Sequence, residues 1–377
     1  MKVGFFLDTP MPMFSGIWYH RVKMPAEALG SRGHFVQQFC IGKDRPTKDV
    51  IESVDVIVFG RTYPIGYDPV ADMKAFKAAG KRVIYDIDDD IWTVAKHNPS
   101  VLVSNATKDQ YEEMIRLCDA VITPSRTLGK KIKKHFKKPV FICPNAVSPE
   151  EYKERKHQMP QLVIGYMGAS SHWADLNIVI DVLEDLSKKH DFLFSLYGLT
   201  SAPLEADAYT ADIIVRSGTQ PENEPQLNEL LKFHGKLKNL PMFHTPFHPP
   251  EIHSRILSGL DMDIGIAPLE DTEFNRGKSS IKFYEYAMVG TVTLASDVLP
   301  YSEEVNYRAK NTYKDWYAKL EKLIVDKDFR EKLLKEQQDY VKKNRTTEAV
   351  ALDWELALQR PVKDSPGVLN QIRNFLK

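Results

Sequence analysis

Cysteine is scarce. Cys40, Cys118 and Cys143 are the only three in 377 residues, scattered and odd in number. They offer neither a disulfide framework nor metal-ligand spacing and fit a reducing compartment, where a buried thiol behaves as a small hydrophobe. Also missing is an apolar run approaching the roughly 20 residues that cross a bilayer, which argues against an integral helical membrane protein. The first apolar run is broken by Asp8, so MKVGFFLDTP reads as a strand and not as a secretory leader. The expectation is a cytoplasmic protein, peripheral to a membrane at most. Charge of one sign is lacking too: 51 basic and 51 acidic residues cancel, where a duplex-binding protein more often carries a basic excess.

What remains is an ordinary globular composition, 43% apolar and 27% charged, on a chain longer than one hydrophobic core usually supports. Short β-rich runs at 3–7, 35–39, 54–59, 82–86, 120–123 and 140–142 alternate with helical patterns at 19–29, 69–79, 108–117 and 125–136. Such alternation predicts a parallel sheet with helices on both faces. The polar stretch SPEEYKERKHQMP has neither period and reads as an interdomain linker. The alternation then restarts, with strands at 161–166, 192–197, 262–267 and 292–295 and helices at 175–189, 251–260 and 279–289. The fold class is α/β: two Rossmann-like domains facing a cleft, 1–150 and 159–344, with a partly helical insertion near 199–241. Residues 313–359 read as helices only, Thr346 starting the last of them.

Open parallel sheets bind ligands beyond the carboxyl ends of their strands, where helix N-termini face the crevice. The segment APLEDTEFNRGKSSIKFYEYAMVG places a buried strand, a loop at 275–278 and a helix near Ser279 in that order. Lys278, Ser279, Ser280 and the first-turn amides suit a diphosphate. Lys278, Lys282 and Glu285, at i, i+4 and i+7, predict one helical face with two cations and a carboxylate able to accept from ribose hydroxyls. The competing reading is a solvated face with an ordinary Lys282–Glu285 pair.

NRGKSSIKFYEYAMVGTVTLAS resembles the nucleotide-sugar motif of GT-B glycosyltransferases, especially the retaining family 4 group. TPSRTLGKKIKKHFKKPVFICPNAV is similar to the end of that group's first domain, LVIGYMGASSHWADLNIVIDVLEDL to the first strand, Gly loop and helix of its second, and DMDIGIAPL to the strand before the donor helix. The resemblance implies a nucleotide-diphosphate sugar as donor, a hydroxyl acceptor, retention of configuration, no metal or other cofactor, and a final helix, 345–377, that crosses back to the first domain. It places Gly168 and Glu285 at the donor. The motif's first glutamate falls at Gly277, and the usual Arg and Lys after the Gly loop are replaced by Ser170, Ser171, His172 and Asp175. Phosphate neutralisation then leans on Lys278 and Lys282, with His172 as a helper.

On the first domain, Gly16 allows a backbone loop to approach the donor, and His20 and Arg21 at a helix start are acceptor candidates; an ordinary βα turn is the alternative. The run DIDDDIW ends the fourth strand and resembles a DIDDD-Trp branch of the family. Asp88 and Asp89 are the catalytic candidates, as stabilisers of a cationic sugar transition state, with Asp90 and Trp92 at the acceptor. Metal coordination and a turn or N-cap role are the other readings of this run. His97, His244, His248 and His253 read as surface or packing residues. The basic helix at 129–138 carries Lys on its solvent side, either as plain solvated charge or as a surface for an anionic membrane or polyanion. Two rivals on the same fold are a nucleotide-sugar epimerase and a phage-type transferase that glycosylates modified DNA bases. Oligomeric state is not encoded in any of these features.

Overall fold

The computed structural model describes residues 1–7, 16–40, 46–61, 67–94, 100–155, 158–169, 172–199 and 224–359. Six parallel strands form the first sheet in the order β2-β1-β3-β4-β5-β6: β1 Lys2–Leu7, β2 Phe35–Cys40, β3 Val56–Phe59, β4 Arg82–Asp86, β5 Ala120–Thr123 and β6 Val140–Ile142. The second has the order β12-β11-β10-β7-β8-β9: β7 Leu162–Gly168, β8 Phe192–Gly198, β9 Met242–Thr245, β10 Ile264–Ala267, β11 Val292–Ser296 and β12 Arg308–Ala309. Strands β3, β4, β5, β10 and β11 are buried along their whole length, as parallel strands covered on both faces must be. Their continuous Val/Ile runs made them readable.

Both sheets reverse strand order at one place, between β1 and β3 in the first and between β7 and β10 in the second. A crevice opens where order reverses, so loops after these strands face whatever binds. Gly198, at φ +89°, lets β8 end against β7; a Cβ there would lie 2.4 Å from the Gly168 carbonyl oxygen.

Helix starts follow their caps: Ser125 accepts from the Leu128 amide and Thr346 from the Ala349 amide. The Thr347–Leu358 helix packs Val350 and Trp354 against Val3, Phe5 and Val22 of the first domain, while Arg82 donates to the Ala357 carbonyl at 3.0 Å. This is the expected crossing back; residues 360–377 lie outside the described set. The linker is not a free tether, because Arg155 binds Asp263 at 2.8 Å and the Gly290 carbonyl at 2.8 Å, and Tyr152 is buried.

Several expectations change. The 19–29 helix is a π turn at Tyr19–Lys23 followed by the Met24–Ser31 helix, and the 175–189 helix divides into Trp173–Asn177 and Ile180–Ser187. Edge strands β9 and β12 were not expected: one is only half-buried and the other is two residues long, so neither has a clear apolar signal. In the insertion, Glu224–Lys238 is helical and 200–223 lie outside the described residues.

Candidate active site

Between the two sheets lies a cavity of about 330 Å³. Gly16, Tyr19 and His20 line it from the first domain, and Gly168, His172, Tyr197, His253, Lys282 and Glu285 from the second. Glu285 is only 3% exposed. Its Oε1 accepts from the Tyr152 hydroxyl at 2.9 Å and lies 3.2 Å from His253 Nε2 and 3.8 Å from His20 Nε2. Burial alone would raise its pKa, but the adjoining His253, with His20 and Tyr152, holds the carboxyl down at about 2. His253 responds in kind: burial disfavours its charge, and Glu285 more than restores it. His20 is pushed down to about 4, chiefly by burial, so it is neutral at pH 7.

Lys282 lines the same cavity, and Lys278 lies just beyond it. Lys278 Nζ lies 3.3 Å from His172 Nε2, and His172 Nδ1 lies 2.6 Å from Asp175 Oδ2. Asp175 in turn accepts from the Glu270 amide at 2.8 Å. This chain puts the imidazole proton on Nδ1 and turns the Nε2 lone pair to the ammonium. It suits a His172 whose pKa is lowered to about 4 by burial and by the charges of Lys278 and Lys282. Lys282 lies over the Tyr166 ring at 5.7 Å. Among the described residues, no carboxylate forms an ion pair with Lys278 or Lys282, so the solvated Lys282–Glu285 pair does not form. Burial and then Lys278 push Lys282 down to about 8.

The register differs from the sequence reading. The helix begins at Ile281 with Ser280 at its N-cap, so Lys278 precedes it in a turn whose amide bonds to the Asn275 carbonyl at 3.1 Å. Lys278 and Lys282 therefore converge through that turn, not along one helical face. Ser279 accepts from Asn145 Nδ2 at 2.8 Å, an interdomain bond, and Ser280 is fully buried. Lys278 and Ser279 line a second cavity of about 470 Å³, with Arg126 and Arg345.

The acceptor candidates divide. Arg21 is 2% exposed and fully used: it grips Asp86 at 2.7 and 2.9 Å, the Cys143 carbonyl at 2.8 Å and Asn145 Oδ1 at 2.9 Å. It is a structural arginine, which corrects its reading as an acceptor contact. Strand β4 stops at Asp86, leaving Asp88, Asp89 and Asp90 in a loop. Arg61 binds Asp88 at 2.6 Å and Asp89 at 2.9 Å. Asp90 is buried and ion-paired with Lys131 at 2.6 Å, and Trp92 donates to Glu112 at 3.0 Å; none of Asp88, Asp89, Asp90 and Trp92 is among the residues lining the cavity. Among the described residues, no group of three His, Cys, Asp or Glu could hold a metal.

Tyr152 and Arg61 were not singled out from sequence, Asn145 was read only as part of the Pro144–Asn145 pair that leads into the linker, and His253 was read as a surface or packing residue. Tyr152 sits in an aperiodic linker, and nothing in the run of residues around Arg61 points to its two carboxylates. His248 also lines the cavity, His244 Nε2 donates to the Gly198 carbonyl at 2.9 Å, and His97, Ser170 and Ser171 lie outside the described residues.

No family model and no curated protein matches the chain. Solved structures do. An alpha-glucosyltransferase in complex with UDP and a 13-mer DNA containing an HMU base aligns over 96% of this chain and 100% of its own, at 12% identity and a TM-score of 0.64. The lipopolysaccharide outer core galactosyltransferase WaaB aligns over 95% and 99%, at 11% identity and 0.53. A putative UDP-N-acetylglucosamine 2-epimerase from Listeria monocytogenes aligns over 95% and 95%, at 9% identity and 0.52. The fold is GT-B. Its two sheets point their carboxyl edges at one cleft, where Lys282 and Glu285 line the first cavity and Lys278, 3.3 Å from the His172 of that cavity, lines the second.

The lysine pair predicts a pH effect. An anion bound at Lys282 requires the protonated form, whose pKa in the free protein is about 8. Affinity for a nucleoside diphosphate should therefore fall as pH rises above that value, by at most about tenfold per unit until the pKa of the complex is reached. Calorimetric titrations between pH 7 and 9 on wild type and Lys282→Met check this: the variant should lose that slope.

Proposed function

We propose that the chain is a glycosyltransferase that moves a sugar from a nucleoside-diphosphate donor, with UDP as the first candidate, to an acceptor hydroxyl with retention of configuration. The observation that carries this reading is the convergence of two cations, Lys278 and Lys282, that form no ion pair among the described residues, at the point where the second sheet reverses strand order. The Ile281–Met288 helix opens at the same end without a side-chain cap, its Phe283 amide bonded to the Ser280 carbonyl at 2.9 Å, and its N-terminus adds positive potential there.

Diphosphate bound there leaves as an anion, and Lys278 and Lys282 stabilise the charge that grows on it. Glu285 takes the ribose hydroxyls, while Asp88 and Asp89 offset the positive charge that develops on the sugar. Closing the cleft excludes water and holds the acceptor hydroxyl near the anomeric carbon. No step needs a metal ion.

A thermal-shift panel of nucleoside diphosphates and nucleotide sugars, with and without chelator, tests the reading. A specific ligand at a hundredfold above its Kd stabilises by about 2.7 kcal/mol, and chelator should not change the response. A panel without a single stabilising nucleotide would remove the reading. Product analysis then separates sugar transfer from isomerisation of an intact nucleotide sugar, the epimerase outcome.

A second reading concerns the acceptor. On the Arg126–Phe136 helix, Lys130, Lys133 and Lys134 are exposed, as is Lys137 just beyond it, while Leu128 and Ile132 are buried. Its apolar side is consumed by the sheet, leaving nothing to insert into a bilayer. A polyanionic acceptor such as DNA suits this ridge better than a membrane does, and steeply salt-dependent binding to duplex DNA would support it.

A further inference from the structure

Arg61 lies two residues beyond the end of β3, at the strand-order reversal of the first sheet, and takes no part in the reaction as described above. Its guanidinium fork spans two successive carboxylates, Nε to Asp88 Oδ1 at 2.6 Å and Nη2 to Asp89 Oδ2 at 2.9 Å. Asp89 is the more open of the two, at 29% exposed against 17%. The next residue is fixed independently: Lys131 ties Asp90 at 2.6 Å to Glu273 of the second domain at 2.9 Å. The acidic loop also lies against the turn that carries Lys278, since a Cβ on Gly277 would be 3.5 Å from that of Asp90. Asp89 is thus held from both sides where the two domains meet, and the charge of Lys278 acts on it.

We propose that Arg61 is the positioning residue of this loop, fixing the Asp89 carboxylate opposite Lys278 so that it faces the bond between sugar and diphosphate. The proposal rests on the glycosyltransferase reading. Two opposite charges then bracket one bond: Lys278 meets the negative charge that leaves with the diphosphate, and Asp89 meets the positive charge left on the anomeric carbon. A planar fork suits the task because it fixes direction as well as charge, which an ammonium cannot do.

Burial and Asp88 and Asp90 raise Asp89, while Arg61 and Lys278 lower it; Asp88 is held below its usual range by Arg61, with Arg21 contributing. Removing the guanidinium must therefore move the titration of both carboxylates upward.

The test is donor hydrolysis without acceptor. The anomeric C–O bond breaks with its electron pair going to the diphosphate, and water supplies the new oxygen and releases a proton. UDP-glucose, UDP-galactose, UDP-N-acetylglucosamine and GDP-mannose serve as probes, with nucleoside diphosphate release followed for wild type, Arg61→Lys and Arg61→Gln, alongside the Kd for UDP and GDP. The expected result is a kcat at least about 30-fold lower in Arg61→Gln, partial recovery in Arg61→Lys, nucleotide Kd within about twofold, and an acid limb of the kcat profile moved to higher pH. A merely structural arginine would lower the melting temperature of the variants but leave kcat per folded molecule and the acid limb in place, and that result overturns the proposal. Loss of nucleotide affinity in proportion to kcat overturns it as well. Failure of wild type to bind or turn over any probe would instead overturn the glycosyltransferase reading, and this proposal with it.

Discussion

Lys278→Ala should lower turnover by about two orders of magnitude, the usual scale for losing one preorganised electrostatic contact at developing charge. The ammonium lies at the opening of the Ile281–Met288 helix, oriented by His172 at 3.3 Å and by the Phe274 ring at 4.9 Å. Its work grows as the glycosidic bond breaks, because the diphosphate gains charge on leaving, and contacts stronger in the transition state appear in kcat. Donor affinity should fall less, for a reason specific to this site. Lys282, lowered only to about 8, stays mostly protonated at pH 7 and continues to hold the diphosphate in the ground state. Lys278→Arg should recover only part of the rate, since a planar fork cannot sit where a compact ammonium meets the helix terminus and the His172 lone pair. Steady-state kinetics with the nucleotide sugar that gives the largest thermal shift, beside a nucleotide Kd for each variant, decides the matter. Turnover of Lys278→Ala within about twofold of wild type would show that the diphosphate does not leave through this contact.

The sequence legibility of the site follows from how far each residue's partner lies along the chain. Lys282 and Glu285 could be read because a buried strand, a short loop and a helix start sit within one segment, and the fold rule for parallel sheets then supplies the direction they face. The sheets were legible for the same local reason: runs such as VIVF and RVIYD are buried on both faces and leave no alternative to a central parallel strand. The partners of Glu285 were not legible. Tyr152 reaches it from 133 residues away, out of a linker without period. Arg21, Ser279 and Asp90 show the converse. Each is a residue type that ligand sites favour, yet each spends its hydrogen bonds on another part of the chain, and composition alone does not say which partner a polar side chain will meet. The short helix Glu273–Arg276, which overlaps the expected 275–278 loop, and the later helix start at Ile281 were hidden too, since they depend on the burial of Phe274 and Ser280 against the rest of the fold.

Arg21→Ala should cost about 3–5 kcal/mol of stability, the scale for removing one partner of a buried ion pair. The substitution leaves the Asp86 carboxylate, 3% exposed, without its two N–H donors, and strips a third hydrogen bond from the Cys143 carbonyl and a fourth from Asn145. The guanidinium carbon also lies 4.8 Å from the centroid of the Trp354 ring, so the helix that returns from the second domain loses a stacked cation. The damage reaches the cleft through Asn145, whose amide otherwise donates to Ser279 at 2.8 Å across the domain boundary. Urea unfolding followed by tryptophan fluorescence should show the midpoint of the first domain moving sharply down with little change in slope, because the surface exposed on unfolding is nearly the same. A double variant, Arg21→Met with Asp86→Leu, should be less destabilised than Arg21→Ala, since it removes the buried charge together with its partner and fills the space with apolar volume. If Arg21→Ala instead unfolded within about 1 kcal/mol of wild type, as an exposed ion pair would, the four hydrogen bonds would not be holding the first domain together, and Arg21 would return to the list of residues free to meet an acceptor.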